Sequence, residues 1–155
     1  MANIQLRPTV VADLEQLYLF QQDIDARYMA AFVRDETQEA FITRHAEYLN
    51  DPTKNTQTIL VDNVIIGSVA KFMIENDAEI TYWIDKAWWG KGIASKALSA
   101  FLEIETTRPI YGRAAFDNIG SQKVLEKCGF VKTGTDSGFA NARQQTVEEY
   151  IYYHC

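Results

Sequence analysis

Glu79-Ile80-Thr81-Tyr82-Trp83-Ile84-Asp85-Lys86-Ala87-Trp88-Trp89-Gly90-Lys91-Gly92-Ile93-Ala94-Ser95 is the stretch on which the fold turns. Its first seven residues are rich in β-branched and aromatic types, which predicts a strand through Asp85. A helical pattern then runs from Ile93 to about Glu105, with Ala97, Leu98, Phe101 and Leu102 on one face. Arg108-Pro109 breaks it, and Ile110–Phe116 reads as the next strand. Strand, helix and strand in that order predict a parallel pair with a right-handed crossover. The connecting turn holds two glycines and small residues, so main-chain N–H groups can approach a ligand without interference from Cβ. The helix that follows adds unpaired N–H groups and a partial charge of about +0.5. Together they make an anion cradle suited to a pyrophosphate, with the charge of Lys91 beside it. The same glycines equally serve a plain tight turn. A Rossmann fingerprint needs Gly where Ser95 stands, and a Walker loop needs Gly-Lys-Ser/Thr, whereas Gly90-Lys91 is followed by Gly92 and Ile93, so both fail on spacing.

Outward from this stretch, Ile4–Arg7 alternates as a first strand. Thr9 is expected to cap a helix through about Phe20, with Val11, Leu14, Leu17 and Tyr18 on its inner face. A second helix fits Thr37–Leu49 and ends at Asp51-Pro52. Thr56–Val61, a turn at Asp62-Asn63 and Val64–Phe72 form a β-hairpin, and Glu75-Asn76-Asp77 turns the chain into the central strand. Asn118–Cys128 is a compact helix, and Phe130–Lys132 and Thr146–Tyr153 read as closing strands around a polar loop. The order βααβββαβαββ describes an α+β, or mixed α/β, domain.

With 155 residues, 47% of them hydrophobic and 12% aromatic, the chain is expected to form one domain over residues 1–155. Disordered and low-complexity classes are excluded. No apolar run reaches 18 residues and the N-terminus lacks a basic start, so neither membrane insertion nor secretion is expected. Two cysteines, Cys128 and Cys155, form no disulfide framework, and a reducing cytoplasm suits them. The net charge of −6 is uneven: residues 1–50 and 51–85 carry −4 each, whereas residues 86–132 carry +4. A basic segment in an acidic chain suits a compact polyanion, although lysines on two solvated helices give the same count. A long nucleic-acid footprint needs a broader basic face. His45 and His154 stand apart from other ligand types and are expected at the surface or an interface, so no metal site is expected. Cys128 falls on an apolar helix stripe and reads as core, without an activating partner.

The second chemical segment is Asn118-Ile119-Gly120-Ser121-Gln122-Lys123-Val124-Leu125-Glu126-Lys127-Cys128-Gly129-Phe130. Asn118 is a good N-cap and Gly129 a good helix-ending residue, which explains both without a ligand. Nothing in that explanation demands Ser121, which lies one turn from Asn118.

With Trp88-Trp89-Gly90-Lys91-Gly92-Ile93-Ala94-Ser95-Lys96-Ala97-Leu98 following the strand and the Asn118–Phe130 segment after it, the chain resembles the GNAT superfamily of acetyl-CoA-dependent N-acetyltransferases. More narrowly it is similar to the RimJ/RimL-like branch. The resemblance implies a GNAT-like fold, a central mixed twisted sheet of about six to seven strands flanked by about four helices. It implies that Trp89, Gly90, Lys91, Gly92, Ile93, Ala94 and Ser95 hold the CoA pyrophosphate through the main chain. Trp89 departs from the usual Arg or Gln, so that side-chain contact to phosphate is lost, and either CoA affinity is reduced or Lys91 meets the loss. Trp83 and Ile84 would pair their backbone with the pantetheine arm, and Asn118 would bond that arm where the two parallel strands splay apart.

The implied reaction is direct acetyl transfer to a primary amine. An alkylammonium has a pKa near ~10 and must lose a proton before attack. Many relatives place a thiolate-protonating Tyr where this chain has Leu125, which cannot donate; the resemblance therefore assigns that role to Ser121. Glu79 on the central strand is the first choice of base, with an ordinary solvent-facing carboxylate as the competing reading. The acidic segments are expected to line the acceptor side, suiting a peptide or protein N-terminus or a small cationic amine. Asp23–Glu36 and the loop Gly134–Gln145 would shape that pocket. The alternative is a CoA-binding sensor without turnover. The chain would act as a monomer or as a homodimer paired through Tyr150, Tyr152 and Tyr153.

Overall fold

The computed structural model describes residues 3–155. Seven strands form one sheet in the order β1-β2-β3-β4-β5-β7-β6. These are β1 (Ile4–Pro8), β2 (Asn55–Val61), β3 (Val64–Ile74), β4 (Asp77–Ile84), β5 (Ile110–Ala115), β6 (Val131–Ala140) and β7 (Gln145–His154). Every neighbouring pair is antiparallel except β4 and β5, which run parallel, as the crossover from one to the other requires. Five α-helices cover the sheet: α1 (Leu14–Phe20), α2 (Ile24–Ala30), α3 (Gln38–Tyr48), α4 (Ile93–Ile104) and α5 (Ile119–Lys127). Among the described residues no helix is long and apolar enough to cross a membrane.

The hairpins follow from turn chemistry. Asp62 and Asn63 both adopt positive φ, as do Glu75 and Asn76, the left-handed pair that a two-residue turn demands. Strand alternation then sorts the side chains. Ala78, Ile80 and Ile84 of β4 join Ile59, Val61 and Val69 in a core closed by Ala97, Leu98 and Phe101 of α4 and Leu125 of α5. On the opposite face, Leu14 and Leu17 of α1 pack with Phe41 of α3. Residues 79, 81 and 83 of β4 therefore point toward the α1–α3 side, and residues 80, 82 and 84 toward α4 and α5.

Several expectations change. Thr9 does not cap a helix; its hydroxyl meets that of Thr58 at 2.8 Å, and the first turn, Val11–Asp13, is 3-10. Asp13 caps instead, accepting from the Val10 N–H and from Arg7 and Thr58. Arg7 holds the buried Asp13 carboxyl below its ordinary pKa, against the opposing cost of burial. Val11 faces solvent, because that tighter turn rotates it away from the inner face. Residues 24–30, read only as part of a pocket-shaping segment, form α2, capped by Asp23 accepting from the Ala26 N–H. The segment Gly134–Gln145 is not a polar loop: β6 continues to Ala140 and β7 begins at Gln145. Because β6 is the sheet edge, its side chains are largely exposed on both faces and its sequence carries no hydrophobic alternation. Tyr152 is core, 1% exposed, which withdraws it from the expected dimer surface, whereas Tyr150 is half-buried with the Lys132 ammonium over its ring.

Candidate active site

Strands β4 and β5 pair only at Ala78↔Ile110 and Glu79↔Tyr111. Beyond Glu79 they diverge, leaving main-chain groups of β4 without a strand partner on that side. Which groups these are follows from the ladder with β3. Asp85 donates its N–H to the Ile66 carbonyl, so the odd-numbered residues of β4 bond toward β3 and the even-numbered ones face the gap. Tyr82 and Ile84 therefore present their backbone to the gap. Trp83 does not: its carbonyl lies 2.1 Å from where a Cβ on Gly67 would sit, so it faces β3, and only glycine fits opposite it.

The gap opens onto the loop before α4. Gly90 and Gly92 take φ of 76° and 73°, left-handed values that disfavour any side chain. Gly92 is the N-cap of α4, and no side chain caps the helix. Ile93 is buried and anchors the first turn in the core, while the N–H groups of Ile93, Ala94 and Ser95 open the helix. The indole of Trp89 donates to the Ile84 carbonyl at 3.0 Å, pinning the loop to the end of β4. That bond gives the residue in the usual Arg or Gln place a task within the protein. Beside the loop, a groove lined by Ser95, Lys96, Lys127 and Cys128 runs between α4 and α5. The thiol of Cys128 bonds the Ser95 carbonyl at 3.4 Å, and burial pushes its pKa up.

Across the gap stands the start of α5. Asn118 accepts from the Ser121 N–H at 3.1 Å and donates to the Met29 carbonyl at 3.3 Å, so its amide both caps α5 and ties α2 to it. The Ser121 hydroxyl lies 2.6 Å from the Tyr82 hydroxyl, and either can donate. Sequence reading missed Tyr82, because nothing in a strand alternation reveals which helix residue it will meet. Burial pushes the Tyr82 phenol up to about 12, with Ser121 pulling the other way, so it stays protonated at neutral pH.

Glu79 sits at the apex of the splay, 6% exposed, on the α1–α3 face rather than the α5 face. Its carboxyl is 3.5 Å from the Arg113 guanidinium, which also meets Glu149 at 2.9 Å and Asp136 at 3.2 Å. Burial raises the Glu79 pKa above its ordinary value; Arg113 opposes this, and Glu149 and Asp77 add to it. Around one guanidinium there are thus three carboxylates, and the apex is net negative.

On that same face, a cavity of about 450 Å³ lies between α1, α3 and the sheet, reaching Thr81 and Trp83 of β4. The acidic segments were expected to line it, and the structure reverses this: Arg27, Arg34, Arg44 and Lys54 border it, against one carboxylate, Glu36. The acids of α1–α3 occupy outward positions, as at Glu15 and Glu39, because helix periodicity places alternate faces in and out regardless of net charge. His45 is also displaced from the expected surface. It packs 4.1 Å from the Phe41 ring, and burial, with Arg44 adding, lowers its pKa to about 4.

A second linkage went unread in the sequence. Arg143, in the turn between β6 and β7, donates to Asp117 at 2.7 Å and to the Tyr28 carbonyl at 2.8 Å, with its guanidinium over the Tyr28 ring. It fastens the β6–β7 hairpin to α2 and to the start of α5, and lone charged residues in turns give no sequence sign of such partners.

The family model of the acetyltransferase (GNAT) domain matches residues 3–131. The Bacillus subtilis (strain 168) protein named "Probable N-acetyltransferase YjcK" is 34% identical over 150 residues, covering 85% of this chain and 82% of that protein. Among solved structures, the Salmonella typhimurium acetyltransferase that modifies the N-terminal serine of ribosomal protein L7/L12 superposes with a TM-score of 0.82 at 19% identity, covering 97% and 94% of the two chains. Spermidine N-acetyltransferase from Vibrio cholerae, in complex with CoA and spermine, gives 0.81 at 21%, covering 97% and 95%.

Proposed function

This chain belongs to the acetyltransferase (GNAT) family and is an acyltransferase, and on that premise we propose that it moves an acetyl group from acetyl-CoA directly to a primary amine within one catalytic domain. The observation that carries the reading is the β4–β5 splay opening onto an uncapped helix start. A thioester arm fits the gap, where the backbone of Tyr82 and the N–H of Ile84 offer strand-like hydrogen bonds, the Ile84 carbonyl being held by Trp89. A diphosphate fits the amides from Gly90 to Ser95, with Lys91 beside them. The adenosine end extends toward Lys96 and Lys127. Of the narrower branches, we infer the RimJ/RimL-like one, from the Asn118-to-Ser121 spacing. We place the protein in the cytoplasm, whose reducing setting suits the free Cys128 and Cys155.

In the reaction a C–N bond forms and the C–S bond breaks. Glu79 accepts the amine proton: burial raises its basicity, while Arg113 opposes that rise by favouring the carboxylate. Ser121 protonates the departing thiolate from the opposite face. Tyr82 donates to the Ser121 oxygen and so frees the serine proton for the sulfur. The amine thus arrives on one side of the sheet and the thiolate leaves toward the other. Among the acceptors the sequence suggested, a peptide or protein N-terminus suits the cavity better than a small amine of several positive charges, since Arg34 and Lys54, which border it outside any ion pair among the described residues, repel a polycation.

The test is release of free thiol from acetyl-CoA across a panel of amines, beside a thermal shift with CoA. Turnover and shift together are expected. A shift without turnover on any amine would replace the enzyme with a CoA-binding module, and neither would end both readings.

A further inference from the structure

We propose that the acceptor is a primary amine that also carries a carboxylate or phosphate, with the amino group at Glu79 and the anion held by Arg34, Lys54 and Arg27. The proposal rests on the acetyl-transfer reading and names the substrate class of the same site.

The argument is one of uncompensated charge. Arg44 is spent on Glu36, its guanidinium bonding both carboxylate oxygens. Lys71 also reaches the cavity but turns its ammonium to the Thr53 carbonyl at 2.8 Å. Arg27 shares its charge with Asp35, whose carboxylate is largely in solvent. Among the described residues, neither Arg34 nor Lys54 forms an ion pair. The Lys54 ammonium lies 4.6 Å from the centre of the Tyr48 ring instead. His45 is neutral at physiological pH and answers none of this charge. Glu36 and Asp51 feel the charges of Arg34 and Lys54 only through space, and two cations bordering a cavity with no carboxylate in ion-pair contact raise the local concentration of an anion and bind it by charge-assisted hydrogen bonds.

Beyond the β4 wall of the cavity lie groups of the opposite sign. That wall reaches Thr81, one same-face step along β4 from Glu79, a separation of about 7 Å. There Glu79, Glu149 and Asp136 outnumber Arg113. A molecule with an ammonium at one end and an anion at the other aligns in that field, and a polycation does not. Phe32, Phe41, Phe72 and Trp83 border the space between and suit an apolar or aromatic body.

Matched acceptors test this. Gly-Phe against Gly-Phe amide reads a carboxylate, O-phosphotyramine against tyramine reads a phosphate, and spermidine reads a polycation. At least one anionic member is expected to exceed its neutral twin about tenfold or more in kcat/KM. The double variant Arg34→Gln/Lys54→Gln is expected to erase that preference through KM, leaving the CoA thermal shift unchanged. Neutral twins or spermidine used as well as, or better than, the anionic members would overturn the proposal and leave acetyl transfer standing. If CoA shifts the melting temperature but no amine is acetylated, the transfer reading fails by itself and calorimetry decides the pocket. Binding of Gly-Phe or O-phosphotyramine that the double variant loses supports it, and no binding of either overturns it.

Discussion

The gap between β4 and β5 and the cavity beneath α1 and α3 share β4 as a wall, yet they are made of different material. The gap works with backbone: the amides of Gly90 to Ser95, the edge of Tyr82 with the Ile84 N–H, and two glycines at positive φ. The cavity works with side chains drawn from Leu14 to Trp83, its charges set by Arg27, Arg34, Arg44 and Lys54. A site built from main chain constrains which residues can stand there, because few types tolerate the conformation. A site built from side chains constrains only what each one touches. Such a difference suits a protein whose one substrate is constant and whose other substrate is particular to it.

Changes in the gap should therefore act on the constant substrate and on the chemistry, and changes in the cavity on the acceptor alone. The largest effect is expected from Ser121→Ala, a loss of about 10²- to 10⁴-fold in kcat with CoA affinity nearly unchanged, read by thiol release. An unaltered kcat would remove the serine from the reaction. Gly92→Val forces a β-branched residue to φ near 73°, a cost of about 1–2 kcal/mol, and should weaken CoA binding about tenfold by calorimetry. Trp89→Phe keeps the ring but deletes the bond to Ile84, worth about 1 kcal/mol, and should weaken CoA about fivefold without changing the preference among acceptors. A change in acceptor preference there would blur the division between the two regions.

The smallest effect belongs to the cavity and concerns pH. His45 has a folded pKa of about 4 and an unfolded value near ~6.5, so the unfolded chain binds more protons between them. Its contribution to stability is complete above pH 6.5 and is lost progressively toward pH 4. Urea midpoints measured across that window should fall with acid, and His45→Phe should flatten the fall. Asp13 is displaced in the same direction, since Arg7 lowers its pKa, and its contribution is lost in a more acidic window, below the ordinary carboxylate value.

The same contrast accounts for what the sequence revealed. The crossover from Glu79–Asp85 through Ile93–Glu105 to Ile110–Phe116, the hairpin at Asp62-Asn63 and the glycine loop were legible, because turn residues and hydrophobic period act locally. Asn118 was legible as a cap for the same reason. The pairing of Tyr82 with Ser121, 39 positions apart in sequence, was not, nor was the ion pair of Arg143 with Asp117. The sign of the cavity was misread from segment totals: a helix with more acids than bases can still turn its arginines inward, as α3 does with Arg44. The extent of β6 was hidden because an edge strand buries little and needs no apolar alternation.

Backbone amide spectra of the ¹⁵N-labelled protein titrated with CoA decide whether the main chain of this loop grips the diphosphate. The N–H resonances of Gly90 through Ser95 should move most, together with those of Tyr82 and Ile84 along the gap. If these stay in place while CoA binds and the largest shifts fall elsewhere, the backbone site described here is not where the cofactor sits.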